Sequence, residues 1–301
     1  MNPYHGINDS SYAMPDIKKI LLPVDFPNTS LRVIHQAAAM AHHFRSEIVM
    51  LHVVTALSQA AGLPQADAEL TGWDMLSEVI RVAEKNADRS LGPALGDLTI
   101  KRVLVKGRIA WAIVQTAQEE GADLIMMPSH GNTFDQFLLS SVTAKVLHWT
   151  ECPVWTDAHV EESPEKEFDV RHILCAVDFT THNRKAVSWA VQMATKFGSR
   201  LTLAHVTPSA ELWGPGGSYV NPKFKKVLVG DASKNIAQLQ QSIGIKTDAV
   251  IGSGDVPMVL NQAVKQTGAD LLITGCRPYG RHLRTHGYAI IRAVPIPVLS
   301  M

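Results

Sequence analysis

An excess of charge of either sign is absent: 28 Lys and Arg stand against 28 Asp and Glu over 301 residues. With no global field, composition offers nothing to attract a nucleic acid, an anionic membrane or a strongly acidic substrate. Cysteine is scarce. Cys152, Cys175 and Cys276 are odd in number and form no C-x-x-C pair, which argues against a disulfide framework or a structural zinc and fits a reducing compartment. Long apolar runs are also missing: nothing approaches about eighteen consecutive apolar residues, so no spanning helix and no membrane role are expected. The opening MNPYHGINDSSYAMPDIKK is polar and lacks the apolar centre of a signal peptide. The expected location is the cytoplasm.

What is present is an ordinary globular composition, 46% hydrophobic and 19% charged, long enough for two domains of roughly 150 residues, each able to bury a core. IKKILLPVDF (17–26) reads as a buried strand. TSLRVIHQAAAMAHHFR (29–45) reads as an Ala-rich helix that Thr29 or Ser30 is placed to cap, and EIVMLHVV (47–54) as the next strand. A loop carrying Gly and Pro follows over 55–72, then apolar positions at helical spacing over 73–91. Next come a strand at 98–105, a helix from Ile109 to Glu120, a strand after Asp123, a helix through Leu147 and a short strand from Pro153 to Thr156.

The same order then begins again. HILCAVDF (172–179) repeats KILLPVDF (19–26), SRLTLAHVT (199–207) repeats SEIVMLHVV (46–54), GADLLITG (268–275) repeats GADLIMMP (121–128), and IPVL (296–299) repeats CPVW (152–155). The spacing is 153 residues for Asp25/Asp178 and His52/His205 and falls to 147 for Asp123/Asp270, which places a deletion in the second copy near GPGGSYVNPKF (214–224). A tandem duplication explains these matches. The expected organisation is a tail (1–16), a first domain (17–157), a charged linker (158–170) and a second domain (171–301). Each domain is expected to be an open α/β fold with a mostly parallel five-stranded sheet flanked by helices.

Strand-Pro-x-Asp-Phe, His-Val at the end of strand two, Gly-Ala-Asp-Leu-Ile, and Ser-Val-Thr-Ala-Lys-Val-Leu before Cys-Pro-Val together resemble the universal stress protein family, and the match covers almost the whole chain, twice. The resemblance implies a Rossmann-like domain related to the adenine nucleotide alpha hydrolases. In the ATP-binding branch it also implies a phosphate loop of Gly-x-x-Gly, nine residues and Gly-Ser/Thr, with an Asp after the first strand facing adenosine. The implied cofactor-binding set in the first repeat is Pro23, Asp25, Val53, Met127, Ser129, Gly131, Ser140, Ser141 and Val142, holding ATP with Mg²⁺.

This loop departs from the pattern. Pro128 stands at the first Gly, Ser140 replaces the third, and eight residues separate Gly131 from Ser140. Pro128 has no N–H to donate, and Ser140 adds a Cβ where a phosphate wants close backbone approach. Against that, Ser129, Ser140 and Ser141 supply hydroxyls, and a helix starting near Phe137 supplies free amides. The second repeat keeps Gly275, puts Pro278 at the second glycine and aligns Arg284-Thr285 with Ser140-Ser141. Its Arg277, Arg281 and Arg284 either bind an anion by charge or form a solvated basic helix start.

Other residues carry two readings each. Asp25 and Asp178 either face adenosine, as the resemblance implies, or accept hydrogen bonds from the loops that follow them. Pro23 and Val53 pack under either reading. His52 and His205, in apolar strands, read as satisfied core histidines. His42-His43 on a helix point to different faces and make a poor metal pair, whereas His130 beside Gly131 is a loop imidazole able to donate to a phosphate. Gly252-Ser-Gly254-Asp255 reads as a turn with Asp255 as a helix N-cap.

No paired carboxylates, nucleophile elbow, metal cluster or adenylyl-transfer motif emerges, so no turnover beyond slow ATP hydrolysis is expected. Two functions follow from the resemblance: a stress protein working through protein contacts with a degenerate nucleotide site, or an ATP-binding stress regulator with the nucleotide in the first repeat. Self-association is expected in either. The resemblance also implies pairing of the last strands, around Val154 and Val298, across a domain interface.

Overall fold

The computed structural model describes residues 17–24, 31–54, 97–129, 141–157, 168–180, 183–209, 211–214, 217–220, 222–275 and 284–301. They fall into two compact units, one within Pro15–Phe168 and one within Asp169–Met301.

The first unit runs β1 (Lys19–Val24), α1 (Leu31–Phe44), β2 (Glu47–Val54), β3 (Ile100–Lys106), α2 (Ile109–Glu120), β4 (Leu124–Met127), α3 (Ser141–Trp149) and β5 (Val154–Thr156). Its strands pair in parallel in the order β5-β4-β1-β2-β3, with Leu21 opposite both Val49 and Ile125. Every residue of β4 is buried, as a strand covered on both faces requires. Helix α1 buries Val33, Ile34, Ala37, Ala38 and Ala41, an apolar stripe at helical spacing, against this sheet.

The second unit repeats the plan: β6 (His172–Ala176), α4 (Asn183–Phe197), β7 (Arg200–Thr207), β8 (Glu211–Gly214), β9 (Gly217–Val220), α5 (Pro222–Ile243), β10 (Asp248–Ser253), α6 (Val256–Thr267), β11 (Leu271–Thr274), α7 (Arg284–Ala293) and β12 (Val298–Ser300). Its parallel order is β10-β7-β6-β11-β12. In both units the chain steps outward from its first strand in one direction and then returns to that strand's other side. The reversal makes a crevice at the carboxyl ends of the first and fourth strands of each repeat, where open α/β sheets bind ligands.

The duplication extends to single hydrogen bonds. Asp123 Oδ2 accepts from the amides of Lys18 (2.8 Å) and Lys19 (3.0 Å), and Asp270 Oδ2 from those of Arg171 (3.0 Å) and His172 (2.9 Å). Ser46 and Ser199 each donate a hydroxyl to the backbone just before the first strand, at Ile17 and Val170. The turn before the second strand is left-handed in both copies, with Gly198 at φ 68° and Arg45, its counterpart, at φ 58°.

Some expectations change. The antiparallel hairpin β8–β9, with Gly214 opposite Gly217, stands where the sequence reading placed only a lead into a helix. Gly252 and Ser253 finish β10 instead of turning. A Cβ at Gly252 would collide with the Val259 side chain, so glycine there lets strand and helix close up. Asp255 does cap α6, its Oδ1 accepting from the Met258 amide at 3.1 Å. The loop at 55–72, the helix at 73–91, the caps Thr29 and Ser30 and the helix start near Phe137 lie outside the described residues.

Candidate functional site

In the second repeat the crevice is a pocket of about 140 Å³. The ends of β6, β7 and β11 form its floor. Asn183 at the start of α4, Val256 and Leu260 on α6, and Gly287 and Ile290 on α7 form its sides. Ala176, Asp178, Val206 and Thr274, which line it, occupy the positions that Pro23, Asp25, Val53 and Met127 hold in the first repeat. The constellation inferred for the first copy is therefore gathered around one pocket in the second.

Its polar groups are arranged locally. Asp178 Oδ1 accepts from Thr180 N (2.9 Å) and Thr180 Oγ1 (2.7 Å), which folds the loop back on itself. Phe179 between them sits at φ 60° and lies against the His205 ring, centroids 4.3 Å apart. A bulky residue in the left-handed region is uncommon and marks a loop held by its surroundings. His205 Nδ1 faces the Val177 carbonyl at 2.7 Å, and His52 Nδ1 faces Val24 O at 3.1 Å. A carbonyl only accepts, so each ring carries its proton on Nδ1. Both are the satisfied strand histidines that the sequence suggested. Asn183, 7% exposed, donates Nδ2 to Ala176 O at 3.2 Å, and its Oδ1 has no hydrogen-bond partner.

In the first repeat a side chain joins the corresponding strand end and helix. Thr143, fully buried, donates its hydroxyl to Pro128 O at 3.0 Å. Gly287 is the counterpart of Thr143 in the second repeat, and Gly275 of Pro128. One copy closes the gap between strand end and helix with a side chain. The other leaves it open.

Of the first-repeat residues named from sequence, Met127 and Ser129 are buried, at 4% and 2% exposure. Val53 and Val142 pack on the core cluster that includes Met127, Pro23 lies in β1 opposite Leu51, and Ser141 is exposed as the first residue of α3. Asp25, His130, Gly131 and Ser140 lie outside the described residues, as do Arg277, Pro278 and Arg281. Asn183 and Gly287 escaped the sequence reading. The signal for Gly287 was present in the aligned repeats, as Gly against Thr.

His42 and His43 are exposed in the last turn of α1, and no group of three potential metal ligands occurs among the described residues. Burial pushes the Cys175 thiol, within β6, up to about 12, so it is no nucleophile in the folded chain. Among the described residues no helix is long and apolar enough to cross a membrane.

A doubly wound parallel sheet, built twice, with its crevice at the first and fourth parallel strands, defines a tandem open α/β protein. The model of the universal stress protein family matches residues 16–156 and again 169–300, and the chain belongs to that family. Universal stress protein MJ0531 of Methanocaldococcus jannaschii is 30% identical over 153 residues, covering 50% of this chain and 85% of that protein. Universal stress protein A homolog 2 of Coxiella burnetii is 27% identical over 142 residues, 47% of this chain and 94% of that protein. A crystal structure of a universal stress protein from Archaeoglobus fulgidus superposes with a TM-score of 0.65 at 21% identity, covering 94% of this chain and 95% of that one. The last likeness is one of fold.

Proposed function

We propose that this protein serves a stress response in the cytoplasm by binding without turnover, acting through protein contacts while its nucleotide positions are degenerate. The observation that carries the reading is what the second-repeat crevice offers a ligand. Asp178 is engaged by its own loop, and among the described residues that line the pocket there is no Lys or Arg. Its volume of about 140 Å³ falls below the roughly 300–1,000 Å³ of ordinary small-molecule sites. A triphosphate needs cations, free amides or a metal, and the described lining consists of the Asp178 carboxylate, the uncharged amide and hydroxyl of Asn183 and Thr274, the His205 ring and apolar surface. In the first repeat Pro128 lacks an N–H and its carbonyl is held by Thr143.

Protein contact has its own support. Trp111 on α2 and Trp149 at the end of α3 stand 59% and 41% exposed, edge to face with centroids 6.5 Å apart. Exposed indoles are enriched where proteins meet. Self-association is the form of contact that purified protein can test: replacing Trp111 and Trp149 with serine is expected to lower the sedimentation coefficient at high concentration.

The second reading places ATP with Mg²⁺ in the first repeat, against Asp25, Gly131 and Ser140, and is supported by the exposed Ser141 at a helix start. Calorimetric titration of MgATP into the full chain separates the two. No heat, together with no nucleotide released on heating freshly purified protein, is expected. Saturable binding that Gly131→Ala and Asp25→Ala both abolish would overturn the proposal in favour of a nucleotide-dependent regulator.

A further inference from the structure

We infer that the start of α5, with the neighbouring start of α4, is a docking surface for an anionic lipid bilayer, on which the second repeat lies without crossing it. The balanced charge of the whole chain conceals a segregation. Residues 171–301 carry 15 Lys and Arg against 6 Asp and Glu, whereas residues 1–170 carry 13 against 22. Such asymmetry between halves points to an anionic partner for the basic one. Most acids of that half are already engaged: Asp178 by its own loop, Asp255 at the cap of α6, Asp270 at the start of β6 and Asp231 by Lys234 at 3.6 Å.

The cations divide into two groups. Lys196, Lys265 and Arg292 stand in the last turns of α4, α6 and α7, where the helix dipole favours positive charge. Arg184 and Lys185 in α4, and Lys223, Lys225 and Lys226 in α5, stand exposed at the starts of helices whose first turns hold no acid, where the dipole opposes them. A local rule broken this often, with no return in stability, marks a surface kept for a partner. Lys185 illustrates the change. Its counterpart in the first repeat, Arg32, meets the buried Asp157 at 3.2 Å, and Met301 holds the aspartate's place in the second.

The fold gathers these cations. From β6 through β7 to β10 the chain crosses the sheet in one direction, so right-handed crossovers set α4 and α5 on the same face, both starting at the carboxyl edge. Helix α5 outruns that edge: its 22 residues rise about 33 Å against about 20 Å for the 6 residues of β10, and its first buried residue is Ala232. Residues 222–227 are all exposed, Phe224 at 46% and Val227 at 58%, one turn apart on one side of the helix. The shape chooses among anionic partners. A nucleic acid would use the cations and stack on Phe224 but leave Val227 in water, and a projecting helix end is no groove in which to grip an acidic protein segment. A bilayer takes the apolar pair below its headgroups while the lysines stay level with the phosphates.

The test is co-sedimentation of the full chain with vesicles of phosphatidylcholine, with and without about one third phosphatidylserine. The chain should pellet with the anionic vesicles only, and about 1 M salt, which cuts the Debye length to about 3 Å, should release most of it. Lys223→Gln, Lys225→Gln and Lys226→Gln together should weaken binding about a hundredfold, at about fivefold per lysine near an anionic surface. Phe224→Ser with Val227→Ser should weaken it at least about tenfold and leave the salt dependence in place. The same three-glutamine change at Lys196, Lys265 and Arg292 should shift it less than about threefold. All the side chains replaced are exposed, and circular dichroism checks that each variant folds. Equal binding to both vesicles, no binding to either, equal loss from the two glutamine triples, or capture by oligothymidylate or polyglutamate at concentrations below those needed for lipid would each overturn the inference. None of these results depends on whether the first repeat binds MgATP or on whether Trp111 and Trp149 meet a second copy.

Discussion

Removing the carboxylate of Asp123 tests how the first strand is anchored. One oxygen, Oδ2, accepts from Lys18 N at 2.8 Å and from Lys19 N at 3.0 Å, while Asp123 N donates to Lys19 O at 2.9 Å, so a single residue ties the start of β1 to the start of β4. Hydrogen bonds to a charged acceptor contribute about 1.5–3 kcal/mol when sheltered and less in water. The Lys18 amide is exposed and regains a water, whereas the Lys19 amide is half-buried. Asp123→Ala should therefore cost about 2–3 kcal/mol. Asp123→Asn keeps an oxygen able to face both amides and loses only the charge, so it should cost about 1 kcal/mol. Urea unfolding at constant m-value, read by the circular dichroism of each variant, measures both. Equal damage from Asn and Ala would show that charge, not hydrogen-bond geometry, carries the effect. Values within about 0.5 kcal/mol of the parent for both would refute the anchoring argument.

Three further outcomes are expected. Burial holds the His172 imidazole below its ordinary value, with Arg200 acting in the same sense and the Thr267 carbonyl, Asp270 and Asp248 opposing. The unfolded chain then binds the extra proton first as pH falls through about 6.5. Stability present above that pH is lost below it, at no more than about 1.4 kcal/mol per pH unit for one group. Melting curves between pH 7.5 and 5 should show this slope, and His172→Gln should flatten it. Gly198→Ala should destabilise by about 1 kcal/mol, because φ 68° penalises a Cβ although no atom lies within 4 Å of it. Arg45→Gly, relieving φ 58°, should stabilise by about 0.5 kcal/mol; equal melting of parent and both variants would contradict this account. In a chain carrying Cys152→Ser and Cys276→Ser, Cys175 should react with a thiol reagent only as fast as its unit opens, because the fully buried thiol is pushed up to about 12.

What could be read from the sequence was what lies within a strand or repeats at a fixed distance. Leu124 to Met127 is apolar because both faces of β4 are covered, and the His-Val and Gly-Ala-Asp-Leu segments locate the later strands by repetition. Asp255 was recognisable because a cap is local. The pocket was harder to see, since it depends on residues that meet only in the fold. Asn183 lies beside Gly275, at distances of 3.6–3.7 Å from an added Cβ, across 92 residues of chain. The gap above Gly275 opens through Gly287, whose meaning appears only when Thr143 is seen holding Pro128. Between the Leu-Trp and Ser-Tyr-Val of β8 and β9 the sequence reads Gly-Pro-Gly-Gly, a hairpin signal overshadowed by the deletion beside it.

An unfilled hollow has a thermodynamic weight of its own. At roughly 24 cal/mol per Å³, the 140 Å³ beside Gly287 corresponds to at most about 3 kcal/mol of packing forgone, a sizeable part of the 5–15 kcal/mol that holds a typical domain together. The repeats share their aspartate clamps and their serine tethers, and in the second this reserve lies beside Gly287. Whatever occupies the hollow acts as a stabiliser of that repeat, so the concentration of a small molecule is written directly into the folding equilibrium of one half of the chain.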